Sequence, residues 1–455
     1  MKKLLCLVLI LSFICSLISC DFGPTSTING NNLKKYQIVY SDEDSDYSKR
    51  AAEYIKAEIL ERTGLDLPVV EDDAKAEKYE IVVGETSRDI SKKLDAKTEN
   101  VDFAIMAEGN NVALEGDYFI IAAAAYFFIE TYVPADGFNA VIPEQVSIHS
   151  PVVEKADNFI MLIGDGMGPI HTKIFEYVEN TYDFSDGENR FYGYYLPHQG
   201  QSRTNSLSGV TDSAAGGTAL SSGTKTINGL VGRDKDGKDL KLLTELARDL
   251  DKAAGVMSTE PKTGATPASF SAHADSRHGT AEIIMTQKTA REKYGIVINC
   301  GYDYTSVEGI GMIEDEITLM LDTLDDNENG FFLMYEEAYI DKHSHNNDLD
   351  KTYEAVVRFN QAIGRFMEYA FYNPNTFILI TADHETGDLF PNDKGELEYH
   401  SGDHTSKNVP VFAYGYGSEC FDGVSVENIQ IAHTFAHFMG VDDFGDQSKY
   451  SYIGK

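Results

Sequence analysis

Three short, nearly continuous apolar runs punctuate the longer part of the chain, at residues 158–163, 331–335 and 376–380. Each stops abruptly at a loop rich in acidic or histidine residues: Gly164-Asp165, Glu336, and Ala382-Asp383-His384. Runs of this length without polar alternation predict strands buried on both faces. Residues 240–250 and 351–369 carry helical spacing between them. The pattern predicts an α/β unit over 155–455, a mostly parallel central sheet sandwiched by helices. Sheets of this kind set their functional groups just beyond the carboxyl ends of the strands.

A second, smaller α/β pattern precedes it over 35–150. Residues 36–40 and 81–84 read as strands. Residues 48–63 repeat apolar positions at helical spacing and stop at Gly64. Residues 103–114 read as a hairpin turning at Gly109-Asn110-Asn111, and 120–132 as an apolar helix. Strands alternating with helices predict a small layered domain. It weakly resembles the accessory N-terminal domains of some secreted glycosidases. No cluster of metal-ligating or catalytic residue types falls in it.

The first 34 residues follow neither pattern. Lys2 and Lys3 precede an apolar run over 4–18, too short for a spanning helix and suited to a signal-peptide core. The run ends Leu17-Ile18-Ser19-Cys20, which resembles a bacterial lipobox. This predicts cleavage after residue 19, acylation of Cys20, and an exported protein lipid-anchored to the cell envelope. Residues 20–34, rich in Gly, Asn, Ser and Thr, are expected to form a tether. Of five cysteines, Cys300 and Cys420 remain for the folded part, and whether they pair is open. The net charge of −35 becomes −37 once Lys2 and Lys3 leave. So acidic a surface repels nucleic-acid backbones and excludes that class of partner.

Five segments carry candidate chemistry, and each is bland alone. Gly164-Asp165-Gly166 is ordinarily a turn. Ser213, in Thr211-Asp212-Ser213-Ala214, is ordinarily an N-cap, although a helix start also offers backbone N–H groups to a phosphate. Arg277, downstream of Ala265-Thr266-Pro267, is ordinarily a surface cation, although a guanidinium can grip two phosphate oxygens. Asp341 and His345 stand one helical turn apart, and Asp and His suit zinc. Asp383-His384 is followed by His404-Thr405. A sixth match, Asp325-Asp326-Asn327-Glu328-Asn329-Gly330 with Glu336, fits a calcium-loop pattern. It is rejected because a strand, not a helix, follows it.

Taken in order, Gly164-Asp165-Gly166, Thr211-Asp212-Ser213-Ala214, Ala265-Thr266-Pro267, Ile340-Asp341-Lys342 with His345, Thr381-Ala382-Asp383-His384, and Gly402 with His404-Thr405 resemble the alkaline phosphatase family. The resemblance runs from near Phe159 to the C-terminus. It implies phosphate-monoester hydrolysis with Ser213 as the phosphorylated nucleophile and Arg277, oriented by Asp212, as the phosphate grip. It implies two zinc ions, one on Asp341, His345 and His404, the other on Asp383, His384 and Asp165. Asp165 would bridge to a third place, normally magnesium, completed by Thr266 and Glu336. There the chain departs: the family carries Asp or His two residues before the threonine, and this chain carries Gly264. The implied partners are small phosphate esters, with membrane contact through the lipid alone and no dimer implied. Alternatives that stay open are a phosphodiesterase, phosphonate hydrolase or sulfatase of the same superfamily, and a non-enzymatic, glycan-binding surface lipoprotein.

Overall fold

The computed structural model describes residues 25–41, 46–94, 103–134, 137–143, 146–148, 155–177, 190–301 and 309–454. The signal-peptide reading and Cys20 lie outside them. The chain divides into two units, Met1–Ser150 and Pro151–Lys455.

In the first unit β1 (Gln37–Tyr40) runs parallel to β2 (Val69–Glu71) and β3 (Glu80–Val83). Strand β3 runs parallel to β5 (Asn111–Glu115), which forms a hairpin with β4 (Phe103–Glu108). Helices α1 (Asp46–Thr63), α2 (Asp89–Leu94) and α3 (Ile120–Tyr132) accompany the sheet. Part of the expected tether is folded. Thr27–Ile28 pairs with Asn31–Asn32 and with Asn139–Ala140, and Ile28 and Leu33 are fully buried. The polar composition hid a tight turn, because Asn29 and Gly30 both take positive φ, the hairpin conformation those residues favour.

The second unit is built on one twisted sheet. Its central strands are β6 (Asn158–Gly164), flanked by β9 (Phe331–Glu337) and β10 (Thr376–Thr381), with β7 (Ala253–Ser258) and β8 (Val297–Cys300) beyond β9. These five are mutually parallel. Past β10, Val409–Tyr414 runs antiparallel, and His198–Arg203 and Ser425–Glu427 complete the order. The expectation of a mostly parallel sheet is met.

Every residue of β6, β9 and β10 is buried, and period-two alternation splits them between two helical layers. Phe159, Met161, Ile163, Phe332, Met334, Phe377 and Leu379 share a core with Leu220, Leu246 and Phe435. Those partners come from α4 (Ser213–Ser222), α5 (Leu243–Asp249) and Asn428–Phe438. On the other face Tyr335 stacks on Phe359 of the long helix Leu349–Tyr372. Register brings Ser258, Glu336, Ile163 and Thr381 side by side at one level. The next residues on each strand therefore emerge together at the carboxyl edge.

Candidate metal centre

Ser213 is the first residue of α4 and is nearly fully buried. Asp212 precedes it with extended backbone, which lets its Oδ1 accept from Ala215 N at 3.0 Å and cap the helix. The second oxygen of the same carboxylate accepts from Gly229 N at 3.0 Å and from Arg277 Nη1 at 3.1 Å. One aspartate therefore fixes both the helix start and the guanidinium beside it.

Asp165 follows β6 directly, and Gly166 turns the chain at φ +74°. A Cβ at Gly166 would fall 2.8 Å from Thr386 Oγ1 and 2.9 Å from the Asp341 backbone, so only glycine fits this close approach. Gly166 N and His384 N both donate to Asp383 Oδ1, leaving Oδ2 of that carboxylate to face the cluster. Asp341 and His345 lie on the short helix Tyr339–His345, on one face as their spacing predicts.

The ring nitrogens explain the arrangement. His345 Nδ1 faces Gly402 O at 2.7 Å, and His404 Nδ1 faces Thr211 O at 2.8 Å. A carbonyl only accepts, so both Nδ1 atoms carry a proton, and in the neutral ring each Nε2 presents its lone pair. The third histidine, His384, sets Nδ1 3.2 Å from Thr386 Oγ1, whose proton goes to Asp341 Oδ1. Its Nε2 is therefore also a lone pair. Burial, then the neighbouring His404 ring and Arg277, push the His384 pKa down and keep it neutral.

These lone pairs converge in two groups. In the first, His345 Nε2 and His404 Nε2 stand 3.0 Å apart, and each lies 3.4–3.5 Å from Asp341 Oδ1. In the second, His384 Nε2 lies 3.4 Å from Asp165 Oδ1, 3.3 Å from Asp383 Oδ2 and 3.2 Å from Ser213 Oγ. Ligands about 2.0–2.1 Å from a tetrahedral zinc ion are spaced about 3.3 Å from each other. The first group has that spacing throughout, and in the second His384 Nε2 keeps it to each of its three neighbours. Asp165 Oδ1 and Asp383 Oδ2 are buried without a hydrogen-bond partner. Burial, then repulsion by Asp383 and Asp341, holds the Asp165 carboxyl above the usual range, and burial, then Asp341, does the same for Asp383. Lone pairs facing lone pairs and buried, unpartnered carboxylate oxygens are what a divalent cation relieves. The residues present fit two zinc ions.

The groups differ in access. The side chains of His384, Asp383 and Asp165 are buried, whereas that of His345 is 37% exposed. Thr266 and Glu336 are also fully buried; Thr266 Oγ1 and Glu336 Oε1 lack partners, while Glu336 Oε2 accepts from Ser258. Burial, then the Glu260 carboxylate, push the Glu336 carboxyl well above the usual range, and Glu336 in turn adds to the upward shift at Asp165. Of the residues expected at the centre, Asp165, Glu336, Asp383 and His384 lie at or just past the carboxyl ends of sheet strands, Ser213, Thr266, Asp341 and His345 on helices, His404 on a short strand and Arg277 in a loop. Sequence reasoning gave no role to Thr386, which links the two groups, nor to the Thr211 and Gly402 carbonyls that set the tautomers. A hydroxyl two residues past Asp383-His384 was the available signal; backbone carbonyls leave none. Cys300 and Cys420 stand as free thiols. Among the described residues no helix is long and apolar enough to cross a membrane.

A family model described as alkaline phosphatase matches residues 156–299 and 311–391. Alkaline phosphatase 4 of Bacillus subtilis is 28% identical over 313 residues, covering 56% of this chain and 67% of that protein. The alkaline phosphatase of Schizosaccharomyces pombe is 32% identical over 311 residues, covering 52% of this chain and 57% of that protein. The chain thus spans about three fifths to two thirds of the length of these relatives. The solved alkaline phosphatase of the Antarctic bacterium TAB5 superposes with a TM-score of 0.56 at 26% identity, covering 63% of this chain and 99% of that one. Two variants of that enzyme, with a histidine replaced by glutamate or aspartate, hold Mg in a site called M3.

Proposed function

Because the chain belongs to the alkaline phosphatase family through its second unit, we propose that it hydrolyses phosphate monoesters by way of a phosphoserine at Ser213. The observation that carries the reading is the gathering of three histidine Nε2 atoms and three carboxylates into two adjoining groups, one of which meets a buried serine hydroxyl. Asp165, Asp383 and His384 would hold one zinc ion, and Asp341, His345 and His404 the other. Zinc supplies Lewis acidity: it makes an oxygen nucleophile ionise near neutral pH and neutralises charge building on phosphate oxygens.

The chain's own residues do the rest. The Asp212 cap holds Ser213 at the helix start, with Oγ against His384 Nε2. Ser213 gives up its hydroxyl proton to solvent and Oγ bonds to phosphorus as the ester P–O bond breaks on the opposite side, the departing oxygen taking a proton from water. Arg277, held by Asp212, meets the phosphate oxygens together with the N–H groups opening α4. The more open side, at His345, gives the departing alcohol and the incoming water their path. Water then cleaves the phosphoserine and frees Ser213.

A panel of nitrophenyl phosphate, bis-nitrophenyl phosphate and nitrophenyl sulfate tests the substrate class. The monoester should be turned over fastest, in a reaction that chelation stops and added zinc restores. Faster diester or sulfate turnover would replace this reading by one of the superfamily alternatives.

The proposal also keeps the chain outside the cytoplasm, cleaved after residue 19 and tethered through acylated Cys20, since the lipobox-like run follows a basic start and an apolar core. Cys20→Ser should move the protein from the membrane to the soluble fraction. Retention of the variant in the membrane fraction would refute the anchor.

A further inference from the structure

The place of the side chain missing at Gly264 is not a void. Gly264 opens the short helix Ala265–Ser269 with φ −60°, a conformation open to any residue, so backbone strain does not demand glycine there. A side chain stands in the way instead. A Cβ at Gly264 would fall 1.8 Å from Oε1 and 2.0 Å from Cδ of Glu260. The Glu260 carboxyl group itself fills the volume that an aspartate or histidine at 264 would take.

Glu260 is fixed at two points. It lies two residues beyond β7, and its N–H donates to Ser258 Oγ at 3.0 Å. That hydroxyl in turn donates to Glu336 Oε2. Glu260 Oε2 accepts from Lys342 Nζ at 2.8 Å, and its side chain is 11% exposed. Glu260 acts electrostatically on Asp165, Glu336 and Arg277, which puts its charge within reach of the centre. Thr266 Oγ1 and Glu336 Oε1 are buried and have no hydrogen-bond partner, and Asp165 has a second carboxylate oxygen besides the Oδ1 that faces His384. These donors are all oxygens, the ligand class that magnesium takes in preference to nitrogen or sulfur.

We propose that Glu260 supplies the carboxylate of the third cation place in this chain, in exchange for the side chain absent at Gly264. With Asp165, Thr266 and Glu336 it forms an all-oxygen set for a hydrated magnesium ion, and Lys342 is the positive charge that holds Glu260 when the cation is away. The proposal rests on the metal reading above but concerns a residue that reading does not use.

The test is magnesium titration by calorimetry of the full chain, zinc-loaded and stripped of magnesium, with zinc counted by plasma mass spectrometry. Glu260→Gln and Glu260→Ala should weaken magnesium binding by about 10- to 100-fold, the range that loss of a supporting ligand group produces, with zinc content retained. The double variant Glu260→Ala/Gly264→Asp moves the carboxylate to the other backbone position and should recover most of that loss. Thermal melts establish that each variant is folded, and Glu260→Gln keeps the side-chain volume if alanine does not fold. An unchanged magnesium Kd in Glu260→Gln, no magnesium binding by the unsubstituted protein, or a double variant no better than Glu260→Ala overturns the exchange. Absence of zinc from the unsubstituted protein would instead overturn the two-zinc reading, and the magnesium titration would still report on Glu260.

Discussion

Ser213→Ala should lower phosphate-ester turnover by at least about a thousandfold and abolish phosphoryl-enzyme formation, while zinc content stays near that of the unsubstituted protein. The two halves of this expectation have separate causes. Ser213 Oγ is the only hydroxyl set 3.2 Å from His384 Nε2 among the described contacts, so no neighbour replaces it as nucleophile. Asp165, Asp383 and His384 remain in place because backbone groups hold them. Gly166 N and His384 N fix Asp383, and the N–H of Asp165 donates to Glu337 O. Alanine also keeps the helix start, since the cap is Asp212 and not Ser213. Acid-quench labelling with radioactive phosphate, run beside metal analysis, checks both halves. Phosphate still trapped on the alanine variant would remove Ser213 from the mechanism.

His404→Ala should lower zinc content and turnover together, with turnover down at least about a hundredfold, because a bound ion stabilises several kcal/mol of transition-state charge. His345→Ala should do the same less severely. Its side chain is 37% exposed, so water can take the vacated position, whereas that of His404 is 15% exposed and held by the Thr211 carbonyl next to Asp212 and Ser213. The fold should survive both changes, as neither ring belongs to the sheet core. Zinc per chain and kcat measured on the same samples check the coupling. Zinc content equal to the unsubstituted protein in His404→Ala would refute the ligand assignment.

The central sheet was legible because strands buried on both faces leave continuous apolar runs, and β6, β9 and β10 lie where such runs fell. Their shared level at the carboxyl edge was legible only as a rule about parallel sheets. The register itself, with Ser258, Glu336, Ile163 and Thr381 in line, comes from strand pairing that no local pattern encodes. The helix through 351–369 was read short of its observed span, Leu349–Tyr372, because its N-cap Asp348 and its last turn carry weaker signals than its apolar stripe. The folded segment from Thr27 was missed because a polar turn and a polar tether share one composition. At the centre, side chains could be named in advance because their chemistry is visible in the sequence. The tautomer-setting carbonyls and the link through Thr386 depend on which backbone reaches which ring. Gly264 was legible as a departure, but its meaning was not: the group filling its place, Glu260, stands four residues earlier and becomes its neighbour only through the turn between β7 and the following helix.

The central claim is that two zinc ions sit around one serine. An anomalous difference map recorded at the zinc edge from crystals of the zinc-loaded protein tests it most directly. The account predicts two strong peaks, one enclosed by Asp165, Asp383, His384 and Ser213 and one by Asp341, His345 and His404. Peaks elsewhere, or none within reach of the Ser213 hydroxyl, would contradict it.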